Sequence, residues 1–202
     1  ASNQGKEMTG PLHIGLIPTV GPYLLPYIVP TLKETFPDLE VFLYEAQTHQ
    51  LLEQLETGRL DCAIVARVPE TEVPIFNEKM LLAVSEEHPW ASESKIAMNT
   101  LKGQEMLMLD DGHCLRNQAL DYCFTAGAKE DSHFQATSLE TLRNMVAANA
   151  GITFMPELAV LNEGTRKGVK YIPCHSPEPA RTITLVYRPG SPLRNRYERV
   201  AS

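Results

Sequence analysis

The residues best suited to chemistry lie in one short stretch, Asp110-Asp111-Gly112-His113-Cys114-Leu115-Arg116, with a second cysteine, Cys123, nine residues beyond the first. Cys114 falls at the expected start of a helix, where unpaired amide N–H groups and the partial positive charge of the helix end stabilise a thiolate. His113 and Arg116 can add to that, and Asp110 and Asp111 oppose it. In an uninterrupted helix nine residues rise roughly 13.5 Å and turn about 900°, which puts the two cysteine side chains on opposite faces. A disulfide needs Cα atoms about 4.4–6.8 Å apart. The pair therefore either never bonds or bonds by unwinding the helix, and the second case is a redox switch with a built-in change of shape. Cys123 shares a face with Leu115 and Ala119, the expected buried side. Two alternatives stand beside this one. Both cysteines can be small apolar core residues, because free Cys is among the most buried residue types. A zinc site drawn from His113, Cys114, Cys123 and His133 is also conceivable, although neither CxxC nor HxxxH spacing occurs to support it.

Other candidates carry weaker signals. Cys62 sits in the apolar run Cys62-Ala63-Ile64-Val65-Ala66 and reads as core, and Cys174 reads as structural or incidental. Thr19 and Thr48 each follow an expected strand, where hydroxyls line the crevice of α/β folds; turn formation and helix capping are their plainer roles. Arg181, Arg188, Arg194, Arg196 and Arg199 form a basic cluster in the tail, the usual mark of a solvated face. The sequence contains no GxGxxG, GxxxxGK, GxSxG or HExxH.

These residues must be held by something, and the composition says what. The chain has 202 residues, 43% hydrophobic and 21% charged, which suits one large globular domain or two small lobes. Eighteen basic against 25 acidic side chains leave a net charge of −7, which argues against this chain gripping nucleic acid by itself. Four cysteines are too few for a disulfide scaffold. The longest apolar runs are strand-sized, so no membrane segment is expected. No charged-then-apolar leader precedes Met8, and a reducing cytoplasm is the expected compartment.

The apolar periodicity alternates between strand and helix. Leu12–Ile17, Leu39–Tyr44 and Cys62–Ala66 read as strands. Helices are expected over Tyr23–Phe36, where Pro26 and Pro30 should kink or delay the helix, and over Thr48–Leu60. Together these form βαβαβ and hence a parallel sheet. Residues 67–78 read as a connector. A second series follows: strands at Met80–Val84, Met106–Leu109, Phe134–Thr137, Ile152–Met155 and Val169–Pro173. Its helices are Cys114–Ala126, closed by Gly127, and a run through Leu139, Leu142, Met145 and Val146 ended by Gly151. Thr137 and Glu140 have capping-box spacing at its start, with Ser138 as another candidate cap. Thr182–Tyr187 is a last strand and Ser191–Val200 a last helix. The expected fold class is α/β, in two α/β subdomains with the chain crossing between lobes and a crevice at the carboxyl ends of the strands.

Several segments together resemble the hydrogen-peroxide-sensing members of the LysR-type transcriptional regulators. They are Gly10-Pro11-Leu12-His13-Ile14-Gly15-Leu16-Ile17-Pro18-Thr19, Glu45-Ala46-Gln47-Thr48-His49-Gln50, Asp111-Gly112-His113-Cys114-Leu115-Arg116, and the run from Ala136 to Ala148. The resemblance covers the chain from about Thr9 to Val200. It implies a regulatory domain like the type 2 periplasmic binding proteins, with subdomain I over 1–77 plus 183–202 and subdomain II over 78–182. It implies that Cys114 is the peroxide-attacking cysteine and Cys123 the resolving one, joined by an intramolecular disulfide on oxidation. Thr19, Thr48 and His113 match peroxide-pocket residues, and Arg181 matches an arginine that supports the reactive thiolate. Val29, Leu43, Phe134 and Glu140 fall where the family builds subunit contacts. The implied partners are hydrogen peroxide, further copies in a homodimer or homotetramer, and the glutaredoxin or thioredoxin systems as reductant. Promoter DNA and RNA polymerase are reached only through the full-length protein, which activates antioxidant genes. No cofactor, metal or membrane is implied, and no enzymatic turnover. Two departures stand out. The family's winged helix-turn-helix is missing from this sequence, and the connector from Arg67 to Val73 is shorter than the family pattern. The competing functional readings are an effector domain of the same family that binds a small metabolite without thiol chemistry, a thiol peroxidase, and an exported solute-binding protein.

Overall fold

A computed structural model describes residues 8–66, 73–161, 168–188, 191 and 193–202. The chain divides into two compact units, Ala1–Asn77 with Thr182–Ser202, and Glu78–Arg181.

In the first unit, β1 (Gly10–Leu16), β2 (Leu39–Glu45) and β3 (Cys62–Val65) are parallel, with β1 between the other two. They alternate with α1 (Gly21–Thr35) and α2 (Thr48–Glu56), the βαβαβ that the periodicity predicts. The returning strand β9 (Ala180–Tyr187) pairs antiparallel to β3, Cys62 opposite Tyr187. The buried faces of β1 and β3 supply the core, with Leu12, Ile14, Leu16 and Val65 essentially inaccessible. A C-terminal helix, α6 (Arg194–Ala201), completes the unit.

Chain passage into the second unit occurs within β4 (Val73–Ser85), and the return within β9. In that unit β4 is flanked antiparallel by β7 (Thr153–Pro156) and β8 (Val169–Ile172). The parallel pair β5 (Glu105–Leu109) and β6 (Lys129–Ala136) is joined through α3 (Cys114–Ala126). Helix α4 (Leu139–Ala147) follows β6, and a short α5 (Glu157–Leu161) follows β7. A parallel crossover through a helix is the standard way to bring two parallel strands side by side, and it leaves the start of each helix at the carboxyl edge of its strand.

The structure departs from the sequence expectations at several points. Helix α1 is not delayed by its prolines: it starts at Gly21 and runs through Pro26 and Pro30. Pro22, Pro26 and Pro30 recur on one exposed face, so the carbonyls that lose an amide partner face water. Helix α2 stops at Glu56 rather than Leu60, because Gly58 turns the chain left-handed at φ 77°. The segment read as a connector is strand from Val73 onward; residues 67–72 lie outside the described residues. The cap of α4 is Ser138 and not Thr137, its hydroxyl accepting from the Thr141 N–H at 3.2 Å. That helix ends before Gly151: Asn149, at φ 58°, makes the left-handed turn. Gly151 is instead a packing glycine, since a Cβ there would stand 2.7 Å from the Leu107 side chain. The tail arginines are not one solvated face. Arg181 and Arg196 are buried, and Arg196 donates to the Pro11 carbonyl at 2.9 Å.

Candidate functional site

The stretch Asp110–Arg116 lies between β5 and α3. The Asp110 N–H donates to the Ala136 carbonyl at 2.8 Å, which carries the β5–β6 pairing one residue further and pins the start of the loop. Gly112 then turns the chain at φ 95°. His113 is the residue preceding α3 and is 6% exposed; its side chain makes no capping bond to the helix. Its Nε2 stands 3.2 Å from Asp110 Oδ1. His113 Nδ1 and Asp110 Oδ1 are both buried without an aligned hydrogen-bond partner among the described residues.

Cys114 opens α3 and is half-buried. The helix runs unbroken to Ala126 and closes on Gly127 at φ 77°. Leu115, Ala119 and Cys123 form its buried face, as the spacing predicts. Cys123 is 1% exposed, and its thiol points to Met106 Sδ at 3.3 Å. Burial, reinforced by the negative charge of Glu130, pushes that thiol up to about 12. No disulfide joins any of the four cysteines. Ten helical residues from Cys114 to Cys123 put their Cα atoms far beyond disulfide reach, which is about 4.4–6.8 Å. Cys62 and Cys174 are buried in the core of their units, as expected; burial raises both thiols, Cys174 to about 11.

One sequence expectation is corrected here. Arg116 does not add its charge to the thiol. Its guanidinium is held by both Glu130 oxygens, at 2.6 and 2.8 Å, by the Leu109 carbonyl at 2.9 Å, and by Asp111 at 3.2 Å. The hydrogen bond from Arg116 keeps the Glu130 carboxyl below its ordinary range. Asp111, in turn, is 96% exposed and faces that arginine rather than the helix start.

Arg181 belongs to the same unit as Cys114. Its Nε donates to Glu78 Oε1 at 2.8 Å, and both side chains are essentially inaccessible. Glu78 Oε2 also accepts from the Leu158 N–H at 3.1 Å. Thr19 and Thr48 are in the first unit. They follow the adjacent parallel strands β1 and β2 at the same carboxyl edge, where Leu16 pairs with Glu45. Thr19 is buried, and Thr48 is the first residue of α2 rather than its cap, which is Gln47. Of the expected contact residues, Val29 on α1 and Leu43 on β2 are half-buried. Phe134 on β6 is 43% exposed, and Glu140 pairs with Arg143 at 3.1 Å.

The zinc alternative loses its donor set: His133 sits with Asp131 and Glu105, their potential ligand atoms within 4.8 Å of one another, in a group that contains neither cysteine. A cavity of about 290 Å³ in the first unit is lined by apolar side chains, among them Ile14, Leu24, Phe76 and Leu185, and includes none of the expected site residues. Among the described residues no helix is long and apolar enough to cross a membrane. Sequence reasoning missed Glu78, Glu130 and Met106. Glu78 left a signal, an acid inside an apolar strand, which must find a buried cation.

Two α/β units of this kind are the architecture of a ligand-binding regulatory domain, and the family model for the LysR substrate binding domain matches residues 5–202. The chain is 91% identical over its whole length to the hydrogen peroxide-inducible genes activator of Haemophilus influenzae, spanning 68% of that protein. It is 65% identical to the DNA-binding transcriptional dual regulator OxyR of Escherichia coli K12, spanning 67% of it. The crystal structure of the reduced form of OxyR superposes with a TM-score of 0.88 at 60% identity, covering 96% of this chain and 94% of that one. The oxidized form gives 0.87 at 64% identity, with the same coverage. A cysteine-to-serine mutant of Corynebacterium glutamicum OxyR, hydrogen peroxide bound, gives 0.88 at 35% identity over 96% of this chain and 64% of that one. The chain belongs to the LysR-type transcription regulators and, within them, to the OxyR group of hydrogen-peroxide-inducible activators.

Proposed function

We propose that this chain senses hydrogen peroxide through Cys114 and converts the oxidation into a change of fold by bonding Cys114 to Cys123. The observation that carries the reading is the thiol-form geometry: a half-buried cysteine at the first residue of α3 and a fully buried one nine residues on, separated by unbroken helix. The helix start offers amide N–H groups and a partial positive charge to a thiolate. The thiolate attacks one peroxide oxygen; the O–O bond breaks, Cys114 becomes a sulfenic acid, and the departing hydroxide leaves as water after taking a proton. The Cys123 thiol then condenses with the sulfenic acid, releasing a second water and forming the S–S bond. Thr19, Thr48 and His113 hydrogen-bond the peroxide and its leaving oxygen, and Arg181, held by Glu78, supports the negative sulfur.

The bond can form only when α3 is opened, so a covalent event biases a two-state element. The two units act as regulatory subdomains I and II, and refolding of α3 reaches Phe134 and Glu140 on neighbouring elements. With Val29 and Leu43 these build the contacts between copies of a dimer or tetramer. The full-length protein carries the change to promoter DNA and RNA polymerase in the cytoplasm. The chain reacts once per oxidation and is reset by a glutaredoxin or thioredoxin system, which makes it a sensor rather than a thiol peroxidase. The test is mass spectrometry after brief peroxide treatment. A Cys114–Cys123 bridge is expected; two persistent free thiols would reject the reading and leave a metabolite-binding effector domain in its place.

A further inference from the structure

We propose that Tyr122 is a positioning residue for the second step of the peroxide response: its hydroxyl, bonded to the backbone of Ala180, holds Cys123 in its seat and sets the rate at which the sulfenic acid becomes a disulfide. The inference rests on the reading of Cys114 and Cys123 as the reacting pair.

Tyr122 directly precedes Cys123 on α3 and is half-buried, beside the face that Leu115, Ala119 and Cys123 turn inward. Its Oη accepts from the Ala180 N–H at 3.0 Å and donates to the Ala180 carbonyl at 3.4 Å. Ala180 opens β9 and follows Pro179, whose carbonyl accepts from the Met80 N–H on β4 at 2.8 Å. The hydroxyl therefore ties α3 to a fixed piece of backbone that belongs to neither β5 nor β6. Arg116, two residues after Cys114, makes the tie near the other cysteine, to Glu130 and the Leu109 carbonyl. The two ties are unequal. Arg116 grips both Glu130 oxygens, at 2.6 and 2.8 Å, in a charge-assisted pair, whereas the bonds of Tyr122 are neutral. Charge-assisted bonds are roughly twice as strong as neutral ones, so the Tyr122 end is the one that yields.

The chemistry of the second step moves the same end. A thiolate is the nucleophile, and Cys123 is 1% exposed against Met106 Sδ, where burial holds its thiol up to about 12. Cys123 becomes a nucleophile by leaving that seat. Its neighbour along the chain goes with it, so Tyr122 must first give up Ala180. The Cys123 thiolate then attacks the Cys114 sulfur, the S–O bond of the sulfenic acid breaks, and the S–S bond forms. The departing hydroxide takes up the proton that the Cys123 thiol released and leaves as water. No further oxidant is consumed. The first step, attack of Cys114 on peroxide, takes place at the other end of α3 and does not need the Tyr122 bond to open.

The experiment uses Tyr122→Phe, which removes one oxygen and keeps the ring. Dimedone trapping in a Cys123→Ser background reads the rate of sulfenic acid formation. Rapid quenching and mass spectrometry of the chain with Cys123 intact read the rate from sulfenic acid to bridge. Tyr122→Phe should leave the first rate within about twofold and speed the second roughly 3- to 10-fold, the scale of one neutral hydrogen bond. A merely structural role would move both rates together. Amide hydrogen exchange gives a reading that does not depend on the variant: the Ala180 amide should be protected in the thiol form of the parent and lose that protection in the disulfide form. A second step at the parental rate or slower in Tyr122→Phe, or an Ala180 amide equally protected in both forms, overturns this proposal alone. A parent that never forms the Cys114–Cys123 bridge overturns the peroxide reading, and this proposal with it.

Discussion

Helices α3 and α4 follow the two strands of one parallel pair, β5 and β6, and each is closed by a left-handed residue, Gly127 for α3 and Asn149 for α4. Their construction otherwise differs. Helix α4 has a capping hydroxyl on Ser138, an acid, Glu140, in its first turn, and a buried face of Leu139, Leu142 and Val146. It also buries Arg143, whose guanidinium bonds both Glu140 oxygens, Tyr171 Oη and the Ala159 carbonyl. Helix α3 shares only one of these fixings, a guanidinium anchor: Arg116 bonds both Glu130 oxygens and the Leu109 carbonyl. His113 makes no capping bond, no acid lies in the first turn, and the buried face is Leu115 with the small Ala119 and Cys123. One helix is fastened at its start by a hydroxyl, along its face by three large apolar side chains, and through the bonds of the buried Arg143. The other is anchored through Arg116 and its closing glycine, but only one large apolar side chain, Leu115, lies on its buried face. A switch element should come from the weakly held end of the stability range, and the thin apolar face of α3 fits the switch role proposed for it.

The sharpest way to break the contrast is to remove the resolving sulfur. The parent should lose helical far-UV circular dichroism on peroxide treatment, and Cys123→Ala should abolish that loss. If the variant loses the same signal, disulfide formation is not what opens α3. Next in size, Arg143→Met should cost about 3 kcal/mol in urea unfolding, because it strips partners from buried groups. A cost under about 1 kcal/mol would mean that α4 is no better fastened than α3. Ser138→Ala should cost about 1 kcal/mol through the lost cap. Gly127→Ala forces a side chain into a left-handed position and should destabilise the thiol form by about 1 kcal/mol. Its redox midpoint should then move about 20 mV toward easier oxidation, since 30 mV corresponds to about 1.4 kcal/mol. No movement would show that the last turn of α3 survives in the disulfide form.

The smallest effect is on pH. Burial raises Cys123 to about 12 and Cys174 to about 11. Unfolded thiols ionise near 8.5, so between about 8.5 and 12 the folded chain holds protons that the unfolded chain releases. The stability of the thiol form should therefore be complete below that window and decline as pH rises through it, a trend that urea midpoints from pH 7 to 10 can follow. Iodoacetamide at pH 8 should label Cys114 and spare Cys62, Cys123 and Cys174.

Much of this was legible in the residues. Gly127 and the Leu115, Ala119, Cys123 spacing mark α3 to the residue, and helical rise alone separates its sulfurs. What escaped depends on contacts distant in sequence. Nothing near Arg116 says that Glu130, fourteen residues on, will neutralise it, and nothing near Arg181 names Glu78. The helix boundaries that slipped did so for local reasons: three prolines on one wet face do not stop α1, and Asn149 can take the turn that Gly151 was expected to make. The carboxylate beside His113 was visible only as a charge opposed to the thiolate; its place at Nε2 needed coordinates.

The contact between Cys123 and Met106 has one more consequence. With Cys123 1% exposed and its sulfur against a thioether, the proposed mechanism has its order set by access: the outer sulfur is hit first, and the inner one waits as a protected reserve. In that mechanism Cys123 is oxidised only by joining Cys114, never by peroxide directly, so simple reduction of the one bond would return the chain to its starting state.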